Sequence, residues 1–240
     1  FDPSMDTFLL DGKNEYEVFV LKLNNQGDFV WAKQVGGEES TDYGNDIAVD
    51  PSYNVYVAGI FSDTADFDPG IDTSNLICDG NYNSYILKLD TLGNLAWVKQ
   101  LSGNDEVWVN SLDIDQLGNI YTAGKFVDSA DFNPGVQDHI LYTNAYDGFV
   151  QKLDKKGNFK WAYQIGGNSN DECLAIEVDQ FGDIFTTGFF YSTVDFDLGQ
   201  GTNLITSNGG KDIFIEVLDS SGNYINTIHL GGSGDDIGNA

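Results

Sequence analysis

The chain contains no arginine at all, only two cysteines, two histidines and one methionine, and four prolines in 240 residues. Its 11 basic residues are all lysine, against 38 Asp plus Glu, for a formal charge of −27. That balance argues against nucleic acid and anionic membrane as partners, because both are polyanions that require Lys or Arg to neutralise them. It suits cations, high solubility and a salty or extracellular setting. Cys78, Cys173, His139 and His229 make no zinc pattern. A Cys78–Cys173 disulfide and two unpaired thiols both remain open. No apolar run approaches the roughly 18 residues of a membrane-spanning helix, and no segment sustains a 3.6-residue apolar period, so helices should be few. The chain does not begin with Met and starts inside a motif, which reads as an excised or mature segment.

What is present is a repeat. "WAKQVGG" (31–37), "WVKQLSG" (97–103), "WAYQIGG" (161–167) and "NTIHLGG" (226–232) lie 66, 64 and 65 residues apart. "TADFDPG" (64–70), "SADFNPG" (129–135), "TVDFDLG" (193–199) and an opening "FDPS" at Phe1 keep the same spacing within a residue or two. "IAVD" (47–50), "LDID" (112–115) and "IEVD" (176–179) form a third series. One unit of about 65 residues accounts for the whole chain.

Each unit carries four short runs rich in Val, Ile, Tyr, Phe and Trp. In the first full unit they are Ile47–Asp50, Asn54–Phe61, Ser84–Leu89 and Leu95–Leu101. "DTLGN" (90–94), "DKKGN" (154–158) and "DSSGN" (219–223) join the third and fourth runs, and "DQLGN" (115–119) and "DQFGD" (179–183) join the first and second. In each, the first Asp can cap backbone N–H groups and the Gly can take positive φ, which suits tight bulged hairpins. "NNQGD" (24–28) and "DPSYN" (50–54) are variants; the second puts Tyr53 where Gly is expected and predicts slight strain there.

The expected fold is therefore all-β: β-propeller blades of four antiparallel strands, a to d, with three and a half blades here. An open β-solenoid is the other architecture the repeat allows. The chain divides as a partial blade 1–37, blades of about 38–103, 104–167 and 168–232, and the start of another at 233–240. With no terminal a–b hairpin to join the first c–d pair, the ring is expected to continue in a longer chain or to be completed by partner chains.

The pattern D-x-F-V-x-K-L-D-x-x-G-N-x-x-W-A-x-Q-x-G-G, then I-A-V-D-x-x-G-N-V-Y-x-x-G-x-F, then x-D-F-D-P-G resembles the bacterial seven-bladed β-propeller repeat proteins. The resemblance covers essentially all of the chain. It implies a Bacteroidetes-type large secreted or surface protein with type IX secretion, and it carries over no catalytic residue. Asn226 departs from the repeated Trp31, Trp97 and Trp161; Leu198 from Pro3, Pro69 and Pro134; Val107 from Asp42, Asp171 and Asp236.

The chemistry to be placed is limited. Asp66, Asp68, Asp131, Asn133, Asp195 and Asp197 offer oxygens to Ca²⁺, but two alternate acids per loop are few ligands and miss the calcium-loop pattern. The competing reading is local: the first Asp caps backbone, Phe67 plugs the blade edge, and Asp68-Pro69-Gly70 turns. Asp42, Asp171 and Asp236 either ring a central channel or hydrogen-bond the d–a connection. Glu106, Glu172 and Glu216 break the repeat, as a glycosidase pair would, yet no pairing follows from sequence, and a sialidase would want an arginine cluster. Trp31, Trp97 and Trp161 read as inter-blade packing. Trp108 is the candidate ligand-contact aromatic, and His139 reads as a solvated loop residue.

The expectation is thus a non-enzymatic structural, adhesion or ligand-binding module of a larger extracellular or cell-surface protein. It would meet a protein or glycan, and self-assembly with neighbouring repeats is open to it. A carbohydrate-active hydrolase, or a cation-stabilised unit of a filament or surface layer, is the alternative.

Overall fold

A computed structural model describes residues 7–12, 16–38, 41–199 and 201–239. The turns organise it. At Asp90, Oδ1 accepts the N–H of Leu92 and Asn94, and Oδ2 accepts the Asn94 amide. Asp50, Asp115, Asp154 and Asp219 make the same set with their own Asn. Gly27, Gly93, Gly118, Gly157, Gly182 and Gly222 all adopt φ between 76° and 90°. Tyr53, in the variant turn, is forced to φ 64°, the strain expected of it.

These turns join antiparallel strands in three four-stranded units, preceded by a two-stranded hairpin of β1 (Val18–Leu23) and β2 (Phe29–Val35). The first unit has strand a β3 (Tyr43–Val49), b β4 (Val55–Phe61), c β7 (Asn83–Leu89) and d β8 (Leu95–Gly103). The second has β9 (Val107–Ile114), β10 (Ile120–Phe126), β13 (Asp147–Leu153) and β14 (Phe159–Ile165). The third has β15 (Glu172–Val178), β16 (Ile184–Phe190), β19 (Asp212–Leu218) and β20 (Tyr224–Leu230). Strand a begins at Tyr43, four residues ahead of the expected Ile47. No helix occurs among the described residues, and none is long and apolar enough to cross a membrane.

Twenty strands form among the described residues, six more than the fourteen that three and a half four-stranded blades imply. The excess between b and c is a second hairpin, not a loop: β5 (Thr64–Asp66) with β6 (Asn75–Ile77), β11 (Ser129–Asp131) with β12 (Ile140–Tyr142), and β17 (Thr193–Asp195) with β18 (Leu204–Thr206). They lie against the end of strand d of the preceding unit, the third with its Thr193 carbonyl beside Gly167. Ala130 and Asp131 pair with Gly103 and Ser102 of β8, and Asp66 bridges Gly36. The hairpin covers an edge that would otherwise expose unpaired backbone groups.

Strands a of successive units lie side by side, β3 by β9 and β9 by β15. Each carries a bulge that skips one residue, Asn45, Asn110 or Leu174. The bulge turns Asn45 Nδ2 onto the Val109 carbonyl and Asn110 Nδ2 onto the Cys173 carbonyl of the next unit. Asp46 Oδ2 accepts Ser111 Oγ and Leu112 N, and Asp113 Oδ2 accepts Val178 N. On strand d, Trp31 packs over the next unit's turn, 3.2 Å from where a Cβ on Gly93 would sit, and Trp161 does so at Gly222. The tryptophans are packing residues of the repeat. Cys78 is half-buried, Cys173 is buried, and both are free thiols.

Candidate functional site

The FDPG motifs sit at the tips of the extra hairpins. Asp66 Oδ1 accepts the N–H of Asp68 (3.0 Å) and Ser74 (2.8 Å). Asp131 Oδ1 serves Asn133 and His139, and Asp195 Oδ1 serves Asp197 and Asn203. Asp68, Asn133 and Asp197 each accept from the Gly two residues on. One acceptor oxygen suffices there, which explains why Asn133 replaces Asp. Phe67, Phe132 and Phe196 are fully buried, each between two further aromatics such as Phe61 and Tyr85. The opening FDPS copy lies outside the described residues. Among the described residues no group of three or more His, Cys, Asp or Glu side chains is placed to hold a metal. Removing the Asp131 carboxylate, as in Asp131→Ala, should cost about 1.5–3 kcal/mol in urea unfolding, since two backbone donors lose a charged acceptor. Asp131→Asn should recover most of it, and melting with and without EDTA should coincide. A chelator-induced drop would assign these oxygens to an ion instead.

The acids before strand a hold the d–a connection. Asp42, Asp171 and Asp236 accept the N–H of Gly37, Gly167 and Gly232. Where Val107 replaces the acid, Asn83 Oδ1 takes over the N–H of Gly103. His139 is not solvated as expected; its ring packs 4.7 Å from that of Phe159.

The residues that break the repeat collect elsewhere, at the boundary of the second and third units. A cleft of about 300 Å³ opens there. Tyr146 and Lys211 reach it from the starts of β13 and β19, fixed because their carbonyls accept the N–H of Asp171 and Asp236. Lys125 and Phe189 come from the ends of β10 and β16, Glu172 from the start of β15, and Asn170, Asp171 and Tyr191 from the flanking connections. Lys125 stands where the other units have Ile60 and Phe189; Lys211 where they have Tyr82 and Tyr146; Glu172 where they have Tyr43 and Trp108. Those departures were the available sequence signal.

Lys125 Nζ lies 3.3 Å from Glu172, 5.2 Å from the Tyr146 ring centre and 5.4 Å from that of Trp108. Trp108, the sequence candidate, thus stands behind Lys125, edge-on to Tyr82, and does not line the cleft. The Tyr146 hydroxyl donates to Glu106 at 2.8 Å; burial, then that bond, push it up to about 12. Burial pushes Asp171 up to about 7, against the N–H donors of Tyr191 and Gly167. Of the three non-repeated acids, Glu106 and Glu172 meet around Tyr146. Glu216 is buried in the third unit, away from the cleft lining.

Residues 30–59 and 96–125 match the Beta-propeller repeat family model. The Uncharacterized WD repeat-containing protein L264 of Acanthamoeba polyphaga mimivirus is 24% identical over 203 residues, covering 72% of this chain and 14% of that protein. Regulatory protein FlaEY of Caulobacter vibrioides is 26% identical over 145 residues, covering 60% and 15%. The chain spans about a seventh of the length of these curated relatives. With its antiparallel units and helix-free described residues the chain is all-β, and over residues 30–59 and 96–125 it is similar to β-propeller repeats.

Proposed function

We propose that the chain is a non-enzymatic binding module of a larger exported protein, acting outside the cell or on its surface, and that the cleft between its second and third units receives the partner. The observation that carries this reading is the clustering of Lys125, Glu172 and Lys211 in one cleft, each a departure from an otherwise regular repeat. A fold constraint recurs in every unit; a recognition site need not. The acids in reach support binding over hydrolysis. Glu172 is ion-paired to Lys125 and bonded to Asn110, and Glu106 is bonded to Tyr146, so neither is poised as a free acid or base.

The test is binding of the purified chain to a cell-surface glycan preparation and to surface protein extracts. Tyr146→Ala should weaken capture at least about tenfold, the scale of an interface hot spot, and leave the melting transition cooperative. No reducing ends should be released. Release that Glu172→Gln abolishes would replace the module reading with a hydrolase. Recovery of the native protein only from the cytosol would overturn the exported setting.

A further inference from the structure

We infer that the cleft between the second and third units is built for a carboxylate borne on a sugar ring, an acidic monosaccharide unit, with Lys211 as its anchor. This rests on the binding-module reading and names its ligand class. Lys211 Nζ lies 3.9 Å from the ring centre of Phe189 and 5.9 Å from that of Tyr191, half-buried. No Asp or Glu oxygen of the described residues forms an ion pair with it, in a chain where acids outnumber lysines 38 to 11. Its neighbour Lys125 is compensated by Glu172, and Lys88 and Lys160 by Asp50 and Asp154. Lys22 and Lys152 donate to the carbonyls of Thr91 and Ser220. Lys211 therefore brings to a concave site, which it shares with the buried Asp171, a positive charge that has no ion-pair partner among the described residues.

The rest of the lining selects what carries the matching negative charge. Tyr146 and Tyr191 are half-buried and offer ring surface, Glu172 an acceptor, and the exposed Asn170 an amide donor. Aromatic walls with a few placed polar groups suit a ring with apolar faces and hydroxyl edges. A volume of about 300 Å³ is at the lower end for small-ligand pockets and admits one such ring. A phosphate ligand fits less well: the site has one lysine without an ion-pair partner among the described residues and no arginine fork, and the chain's charge of −27 repels multiply charged anions. An acidic peptide supplies the carboxylate but no ring for the aromatic walls.

The experiment titrates D-glucuronic acid, D-glucose and N-acetyl-glutamate amide into the whole chain, followed by amide NMR shifts. Glucuronic acid should shift residues 170–172, 189–191 and 211 and bind at least tenfold more tightly than glucose. Lys211→Met should erase that preference without lowering the melting temperature, and Lys211→Arg should restore it. Equal binding of glucuronic acid and glucose, a preference that survives Lys211→Met, or tighter binding of the glutamate probe would each overturn the acidic-sugar assignment. In those cases the cleft still binds, and the module reading stands. Shifts confined to other surfaces for every probe would overturn the ligand class; if the cell-surface preparations also spare the cleft, the module reading falls with it.

Discussion

Gly124→Ala is expected to destabilise the chain by about 3 kcal/mol or more, at or beyond the upper range for overpacking. Gly124 on β10 faces the bulge of β9, and a Cβ there would lie 1.8 Å from the Trp108 carbonyl oxygen and 3.0 Å from Phe149 Cε1. The first obstacle is backbone, which no rotamer change relieves. Gly59 and Gly188 face the same approach, at 1.8 Å from the Tyr43 oxygen and 1.9 Å from the Glu172 oxygen. Gly27→Ala is the control: φ is 88° but nothing lies within 4 Å, so only about 1 kcal/mol of left-handed strain is expected. Urea unfolding of both variants measures the difference. Equal losses would mean the close approach is not what holds these glycines. Because β9 carries Trp108 behind Lys125, Gly124→Ala should also disturb the cleft's back wall.

Glu216→Gln should raise stability at neutral and alkaline pH, by several kcal/mol at its largest. Glu216 is fully buried on β19, neither of its oxygens has a hydrogen-bond partner, and burial alone pushes its carboxyl up to about 8 from an ordinary 4.5. The folded state therefore favours the protonated acid. That contribution is complete below about pH 4.5 and is lost as pH rises through 8, at about 1.4 kcal/mol per pH unit in between. The second unit shows what the site accepts. There Gln151 takes the Thr122 hydroxyl on its oxygen and donates its amide to the Phe132 carbonyl, bracing the FDPG tip. In the third unit the facing Thr186 hydroxyl lacks a partner. The stability difference between Glu216→Gln and the parent should grow from pH 4.5 to 8 and then level off. A pH-independent difference would mean that Glu216 is ionised in the fold.

Much of this was legible because it is local. An Asp that reaches backbone two and four residues ahead, and a Gly that takes positive φ three residues on, form a turn whatever surrounds them. Even the exception at Tyr53 could be read. Trp31 and Trp161 were legible for a related reason, since a large aromatic at a repeated position meets the Gly of the next unit's turn. The extra hairpins were not. Thr64–Asp66 and Asn75–Ile77 are too short to carry an alternating pattern, and they are strands because of the edge they cover. Nor was the cleft: Glu172 was noted as irregular, but Lys125 lies 47 residues before it and Lys211 lies at the start of a different strand of the third unit.

The sequence by itself determined the period of about 65 residues, the four strands of each unit and the turns between them, because alternation and turn chemistry act over two to five residues. Only the tertiary structure decided which edge each FDPG hairpin closes, where the bulges aim Asn45 and Asn110, and that Lys125, Glu172 and Lys211 share one cleft. Those outcomes depend on how one unit stacks on the next, and stacking is set by contacts between residues tens of positions apart that no local pattern specifies.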